Sequence, residues 1–286
     1  MAPLLIATCI LLTLATPLSN VLMCKGMLAS RSTNGISVTA ALLLALCAQA
    51  QLATMYYLWA CPPFKRYGEA VPKPPRFMDY LNLAQLIVQW ISSIFLLIVL
   101  LFVSTRAEIA ETTSTKTSSG GSVSTKTAAT LLTVHASLCI FWALVAGTPT
   151  KDWLDLTFVS IMSFNQWCIN PIITITTILA SILQAGTTKD VQGPSALNRT
   201  VVLLQATVFL ALAVSWPFRF QVPLNLRTPY RDDWYLLAEW YPLVGWACVN
   251  NAVIAIGQGV VLYIASTKLD NGAASLGERQ PLISTQ

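Results

Sequence analysis

Seven long apolar blocks divide this chain, at residues 3–24, 36–61, 81–104, 128–147, 156–184, 200–217 and 237–265. Each comes close to or exceeds the roughly 20 residues that an α-helix needs to cross a hydrocarbon core. Lipid offers the backbone no hydrogen-bond partners, so a spanning segment must satisfy its own, and a helix does this within one block. The sequence therefore predicts an all-α, polytopic membrane helical bundle of about seven transmembrane helices, one domain over 1–286 with the lipid bilayer as its surroundings. Composition agrees: 55% of residues are hydrophobic and 10% charged, against roughly 25% charged in soluble domains. No Lys or Arg precedes the first block, while Lys25 and Arg31 follow it, so it reads as a retained span rather than a secretory signal. Asn170-Pro171 inside the fifth block predicts a kink or tilt there. The Ser/Thr/Gly-rich stretch 105–127 reads as a flexible loop, and 267–286 as a disordered tail.

The net charge of +5 does not imply nucleic acid, because the 17 Lys and Arg residues are spread over every loop without a dense run. The seven cysteines fall mostly inside or beside apolar blocks and contain no CxxC spacing, so they read as small packing residues rather than a disulfide framework. The lone His135 reads as a hydrogen-bonded interior residue of the fourth span. No metal site and no cofactor motif is expected.

Seven spans put the loops near 62–80, 148–155 and 218–236 on one membrane face, and those near 25–35, 105–127 and 185–199 with the C-terminal tail on the other. Lys plus Arg number eight on the first face and nine on the second, so the positive-inside rule leans only weakly to a cytosolic C-terminus. On that orientation the sequon Asn198-Arg199-Thr200 faces the cytosol and goes unused. The acids are less even: Glu69, Asp79, Asp152, Asp155, Asp232, Asp233 and Glu239, seven of the 12, belong to the first face. Several sit beside aromatics at the start of a span, in "RFMDYLN", "KDWLDL" and "RDDWYLLAEWYP". Interfacial aromatic belts and helix caps explain part of this pattern; Asp79, Asp152 and Asp155 fit the cap reading as well as any other.

Helical spacing makes the seventh block more specific. Positions seven and eleven apart share a side, so Glu239 aligns with Trp246, Asn250 and Gly257, and backwards with Asp232. Asn82, Gln85 and Gln89 share a face in the third block. Asp155, Gln166 and Asn170 roughly align in the fifth, with Trp167 adjacent. Gln205 lies in the sixth block and Ser19-Asn20 in the first. Polar side chains are costly against lipid and turn toward an interior or a wet cavity. Interhelical hydrogen bonding accounts for some of them. Because amides outnumber charges, the expected interior is a neutral chamber rimmed by aromatics.

Such a chamber suits protonation-initiated isoprenoid cyclisation. A neutral carboxyl donates a proton to an olefin or epoxide, π-faces stabilise the migrating cation, and water is kept away. The candidate donors are Glu239, then Asp233 and Asp232, with Asp155 behind them. The candidate substrate-binding residues are Trp246, Asn250, Trp240, Trp167, Gln166, Asn170 and Gln89. A metal-dependent prenyl site would want two acidic motifs to bridge magnesium and diphosphate, and only Asp232-Asp233 offers adjacent acids.

On "RDDWYLLAEWYP", "FNQWCINP" and "WACVNNA", together with its seven-span architecture, the chain resembles the fungal integral-membrane terpene cyclases of meroterpenoid pathways, nearest to the ascochlorin and macrophorin type. The resemblance covers the whole chain as architecture. It implies acid-initiated cyclisation of a farnesylated phenol or quinol, or of its terminal epoxide. It also implies an endoplasmic-reticulum membrane, a lipophilic isoprenoid substrate, and a partner prenyltransferase or epoxidase in the same pathway. The rival readings are a small multi-pass transporter or permease, a metal-dependent membrane prenyltransferase, and a seven-span receptor or scaffold.

Overall fold

A computed structural model describes residues 2–60, 74–112, 123–147, 164–191, 195–219, 240–241 and 245–278. They form an all-α bundle of seven helices: α1 Ala2–Ser30, α2 Val38–Ala60, α3 Phe77–Thr112, α4 Thr125–Gly147, α5 Asn170–Asp190, α6 Arg199–Ser215 and α7 Trp246–Glu278. Six of them, all but α4, are long and apolar enough to span a membrane, and the chain is a multi-pass membrane protein. The seven helices follow the seven apolar blocks, but the ends differ. α3 runs to Thr112 and α4 begins at Thr125, so the expected loop 105–127 is partly helical at both ends. α7 continues to Glu278, so 267–278 is helix rather than disordered tail. Ala273, Ala274 and Leu276 are good helix formers, and a helix already nucleated by a membrane span extends at little cost.

The helices distribute their side chains inside out. On α1, Thr16, Ser19, Asn20 and Met23 are buried while Leu11, Leu14 and Leu18 are exposed. On α3, Asn82, Gln85 and Gln89 are buried while Ile87, Ile91 and Phe95 are exposed. Lipid is as apolar as leucine, so burying leucine between helices gains little there, whereas an amide facing lipid costs several kcal/mol. The three- and four-residue spacing of the polar positions thus decides which side of each helix turns inward.

Six helices close a ring. The packed pairs run α1 to α3, α3 to α2, α2 to α5, α5 to α7, α7 to α6, and α6 back to α1. α4 lies outside this ring, packed on α2, with Leu131, Val134, Leu138 and Phe141 exposed. Successive helices alternate direction, so α1, α3, α5 and α7 begin at the first membrane face.

The second face is held by polar clamps. The turn between α1 and α2 places Gly35 at φ +89°, a region open to glycine but strained for other residues. Its carbonyl accepts Gln184 Nε2 at 2.7 Å and Thr188 Oγ1 at 3.2 Å, and Gln184 Oε1 accepts the Ser37 amide at 3.0 Å. Lys268 Nζ donates to the carbonyls of Thr188 and Val191 at the end of α5, where a cation also suits the helix dipole. Arg199 Nη2 donates to the carbonyls of Ala265 and Ser266. Asn198 caps α6, its Oδ1 accepting the Thr200 amide at 2.9 Å.

Gly35→Ala forces a Cβ into a positive-φ residue and against Ser195 Oγ. The expected loss is about 1–3 kcal/mol, read as a lowered unfolding midpoint of the detergent-solubilised protein. Gly186→Ala, which meets open space, should leave that midpoint unchanged or slightly raised.

Candidate functional site

The expected kink at Asn170-Pro171 takes the form of a π-helical turn, Asn165–Ile169, directly before α5. Pro171 carries no N–H and its ring crowds the carbonyl four residues back. The Asn170 amide instead reaches the Asn165 carbonyl, five residues back. Tyr241 and Gly245, ahead of α7, also adopt π-helical geometry. Both irregular turns therefore belong to helix starts at the first face, and π-turns free backbone groups and re-aim side chains.

Between them lies an aromatic plug. Met55, Leu58, Leu86, Trp216 and Trp246 form its buried core, and Trp59, Trp240 and Tyr241 pack against it. Trp216 and Trp246 stand 6.3 Å apart between ring centroids at 58°, and Trp59 meets Tyr80 edge-on at 4.9 Å. Gly245 lets the Trp240 indole lie against the backbone, since a Cβ there would overlap the ring. The Trp246 Nε1 donor is buried without a partner.

Two polar chains cross the plug. Thr174 Oγ1 donates to Asn250 Oδ1 at 2.6 Å and lies 2.7 Å from the Tyr241 hydroxyl, tying α5, α7 and the segment before α7 together. The second centres on Arg219, only 5% exposed, just after the short 3₁₀ turn Trp216–Phe218 that ends α6. Its Nη1 donates to Gln85 Oε1 and, at 3.5 Å, to Asn82 Oδ1; its Nη2 donates to Ser215 Oγ at 2.8 Å. The guanidinium also sits 5.1 Å from the Trp216 ring centroid, and its Nε has no partner. Among the described residues no carboxylate pairs with it. Neutral amides and an indole thus hold a buried cation, which guanidinium tolerates better than ammonium because it is weakly hydrated and planar.

Behind the plug, inside the ring, is a cavity of about 80 Å³. All six ring helices contribute to it: Asn20 from α1, Gln51 from α2, Gln89 from α3, Ser181 from α5, Gln205 from α6 and Gly257 from α7. A second cavity, of about 160 Å³, lies between α2, α4 and the π-turn, lined by Thr54, Tyr57, His135, Cys139 and Asn165. His135 is half-buried there, its ring nitrogens 3.8 and 4.0 Å from Cys139 Sγ.

The predicted site residues fare unevenly. Trp246 and Asn250 lie buried in the plug and Trp240 packs on it. Asn170 is buried in the first turn of α5, and Gln89 lines the central cavity. Trp167 does not join them: it is 59% exposed, because its place in the π-turn points it away from the buried side of Asn170. Gly257, aligned with Glu239 by spacing, edges the central cavity and lets α5 approach closely, as a Cβ would strike Ser181. Glu239, Asp233, Asp232 and Asp155, and the Gln166 side chain, lie outside the described residues. Asp79 is buried and its Oδ2 accepts the Arg76 amide at 2.8 Å, the cap expected of it. Arg219 and Gln51 are new. The signal for Gln51 was an amide in the middle of an apolar block, and for Arg219 a single cation directly after "SWPF".

Compared with models of known protein families, with curated proteins and with solved structures, the chain matches none.

Arg219→Ala leaves the Gln85 and Asn82 oxygens buried and unpaired, at a cost of roughly 2–4 kcal/mol. Arg219→Lys keeps the charge but loses the fork and should recover about half of that. The check is unfolding of the purified protein in one detergent, and equal midpoints for all three proteins contradict the assignment.

Proposed function

We propose that this chain is a membrane-embedded terpene cyclase, acting on a farnesylated phenol or quinol, or its terminal epoxide, in meroterpenoid biosynthesis at the endoplasmic reticulum. The observation that carries this reading is a closed six-helix ring with an amide-lined interior, plugged by Trp59, Trp216, Trp240, Tyr241 and Trp246 at one end. The plug is bonded directly to the acidic segment, since Trp240 follows Glu239 in the chain. The π-faces needed for a cation thus stand at one end of the interior, one residue along the chain from the first candidate proton donor.

The chemistry follows from those parts. A protonated carboxyl, Glu239 first and Asp233, Asp232 or Asp155 after it, gives its proton to the epoxide oxygen or the terminal olefin. The tertiary cation that results is attacked by the next olefin, a carbon–carbon bond forms, and the charge moves one ring onward over the indole and phenol faces. Loss of a proton from carbon, or capture by the ligand's own hydroxyl, ends the sequence and returns one proton. Substrate and product have the same mass. No diphosphate leaves, so no magnesium is required by this route.

The π-turns before α5 and α7 favour a second reading, because helices interrupted next to a cavity are also how transporters build binding sites, and the π-turn before α5 lines the second cavity. Substrate counterflow in liposomes without chemical change supports that alternative.

Microsomes containing the protein should convert a farnesylphenol epoxide into a cyclised product of equal mass without added metal. Glu239→Gln, which keeps shape but removes the proton, should lower turnover by at least about 100-fold, the span of a lost general acid. Full activity in that variant moves the proton to another acid. Loss of product on chelation points to prenyl transfer instead.

A further inference from the structure

Five glutamines line the central cavity from five of the ring helices: Gln51, Gln89, Gln184, Gln205 and Gln258, the last only part-buried. They are not equivalent. Gln184 has its amide committed, Nε2 to the Gly35 carbonyl and Thr188 Oγ1, and Oε1 to the Ser37 amide. It is structural, closing the second-face end. Gln205 is half committed: its Nε2 donates to Asn20 Oδ1 at 3.0 Å, and its Oε1 is buried without a partner. The Oε1 atoms of Gln51 and Gln89 are likewise buried and unpartnered. Each of these three side chains is more than nine-tenths buried. A buried carbonyl without a donor costs about 1–3 kcal/mol, and here three of them edge one cavity. That is the signature of a place whose donors arrive with an occupant.

The cavity also states what the occupant is not. None of its lining side chains is charged among the described residues, so neither an anion nor a cation finds a counter-charge there, and an uncompensated ion is expensive at that depth. Besides the glutamines, the polar lining is Asn20, Ser93 and Ser181, and the remainder is mostly Ala, Leu, Ile, Met, Phe and Val. A hydroxyl fits both facts: it is neutral, and it donates and accepts, so it serves either edge of an amide. The remaining body must be apolar.

We propose that this cavity binds the hydroxyl-bearing head of a neutral lipophile, a phenol or alcohol, through the amides of Gln51, Gln89 and Gln205. Binding of such a head stands on the cavity alone. Its role as the substrate's end rests on the cyclase reading, and there it fixes an orientation. Gln89 and Ser93 of α3 line the cavity, while Asn82 and Gln85 of the same helix hold Arg219 in the plug. Residues 82 and 93 lie about 16 Å apart along the helix axis. On the cyclase reading, a prenyl chain whose phenol sits among the glutamines would run its far terminus along α3 toward Trp246 and Trp240 of the plug. Gln89 and Gln51 are binding residues for the head, not proton donors.

The test uses the full chain in nanodiscs and a matched probe pair, 4-nonylphenol and its O-methyl ether, with binding read by quenching of tryptophan fluorescence. The ether keeps the apolar body and loses the donor. The phenol should bind about tenfold or more tightly than the ether, the worth of one buried hydrogen bond. The hydroxyl has one proton to donate, so at least one of Gln51→Leu and Gln89→Leu should erase that difference by weakening phenol alone, and the double substitution should erase it in any case. Because the replaced oxygens have no protein partner, neither substitution should lower the unfolding midpoint, whereas Gln184→Leu should lower it. Equal binding of phenol and ether to the unsubstituted protein overturns the proposal, even if a variant fails to fold. So does destabilisation by Gln51→Leu and Gln89→Leu as large as that by Gln184→Leu, which would make those amides helix glue. Phenol-selective binding without any cyclised product upholds the cavity and removes the cyclase reading. Cyclised product indifferent to both substitutions does the reverse.

Discussion

An amide surrounded by lipid has nothing to bond to, and this molecule is arranged around that cost. Its helices carry polar residues on one side, at Thr16, Ser19 and Asn20 of α1, at Asn82, Gln85 and Gln89 of α3, and at Gln205 of α6. Turning those sides inward requires helices that enclose something, and six of them do so in a closed ring. A ring of polar-faced helices could fill its centre with hydrogen bonds between side chains. It does so at Gln205–Asn20 and Thr174–Asn250, and leaves other amides open. The difference between those two outcomes, glue and vacancy for a donor, is where packing ends and function begins.

The two ends of the ring solve different problems. At the second face, Gln184, Lys268 and Arg199 bond to backbone carbonyls, which pins turns and helix ends. At the first face, π-turns interrupt the helices, aromatic rings replace aliphatic packing, and a guanidinium is buried among neutral acceptors. A buried Arg219 fixes positive charge beside Trp216. It therefore disfavours a second cation in its own vicinity, so the proposed cyclisation would carry its charge on the Trp240 side of the plug, away from Trp216.

Much of the fold was legible before any coordinates, and for a reason. Length and hydropathy decide spans, and helical periodicity decides which side faces inward; both are local properties of the chain. Asn82, Gln85 and Gln89 were readable as one inward face because they recur at three and four residues. Trp167, read only as a neighbour of the Gln166 and Asn170 side, falls in the π-turn ahead of Pro171, where a period of 3.6 residues no longer tells which way a side chain turns. Helix ends at Thr112 and Glu278 were missed because polar composition signals departure from the bilayer, not departure from helix. Arg219 was counted as a loop charge, since nothing local says that Asn82 and Gln85, more than 130 positions away, will meet it. The ring order, and with it the cavity that unites Asn20, Gln51, Gln89 and Gln205, depends on pairings between distant helices that no single stretch announces.

The central claim is that a carboxyl which exchanges its proton with solvent starts a cation cascade inside this ring. Turnover of an olefin-terminated farnesylphenol in D₂O tests it most directly. The expected product is one mass unit heavier than in H₂O, with one non-exchangeable deuterium on the carbon that had been the terminal olefin. A cyclised product without deuterium, or no reaction of either the olefin or its epoxide, would contradict it.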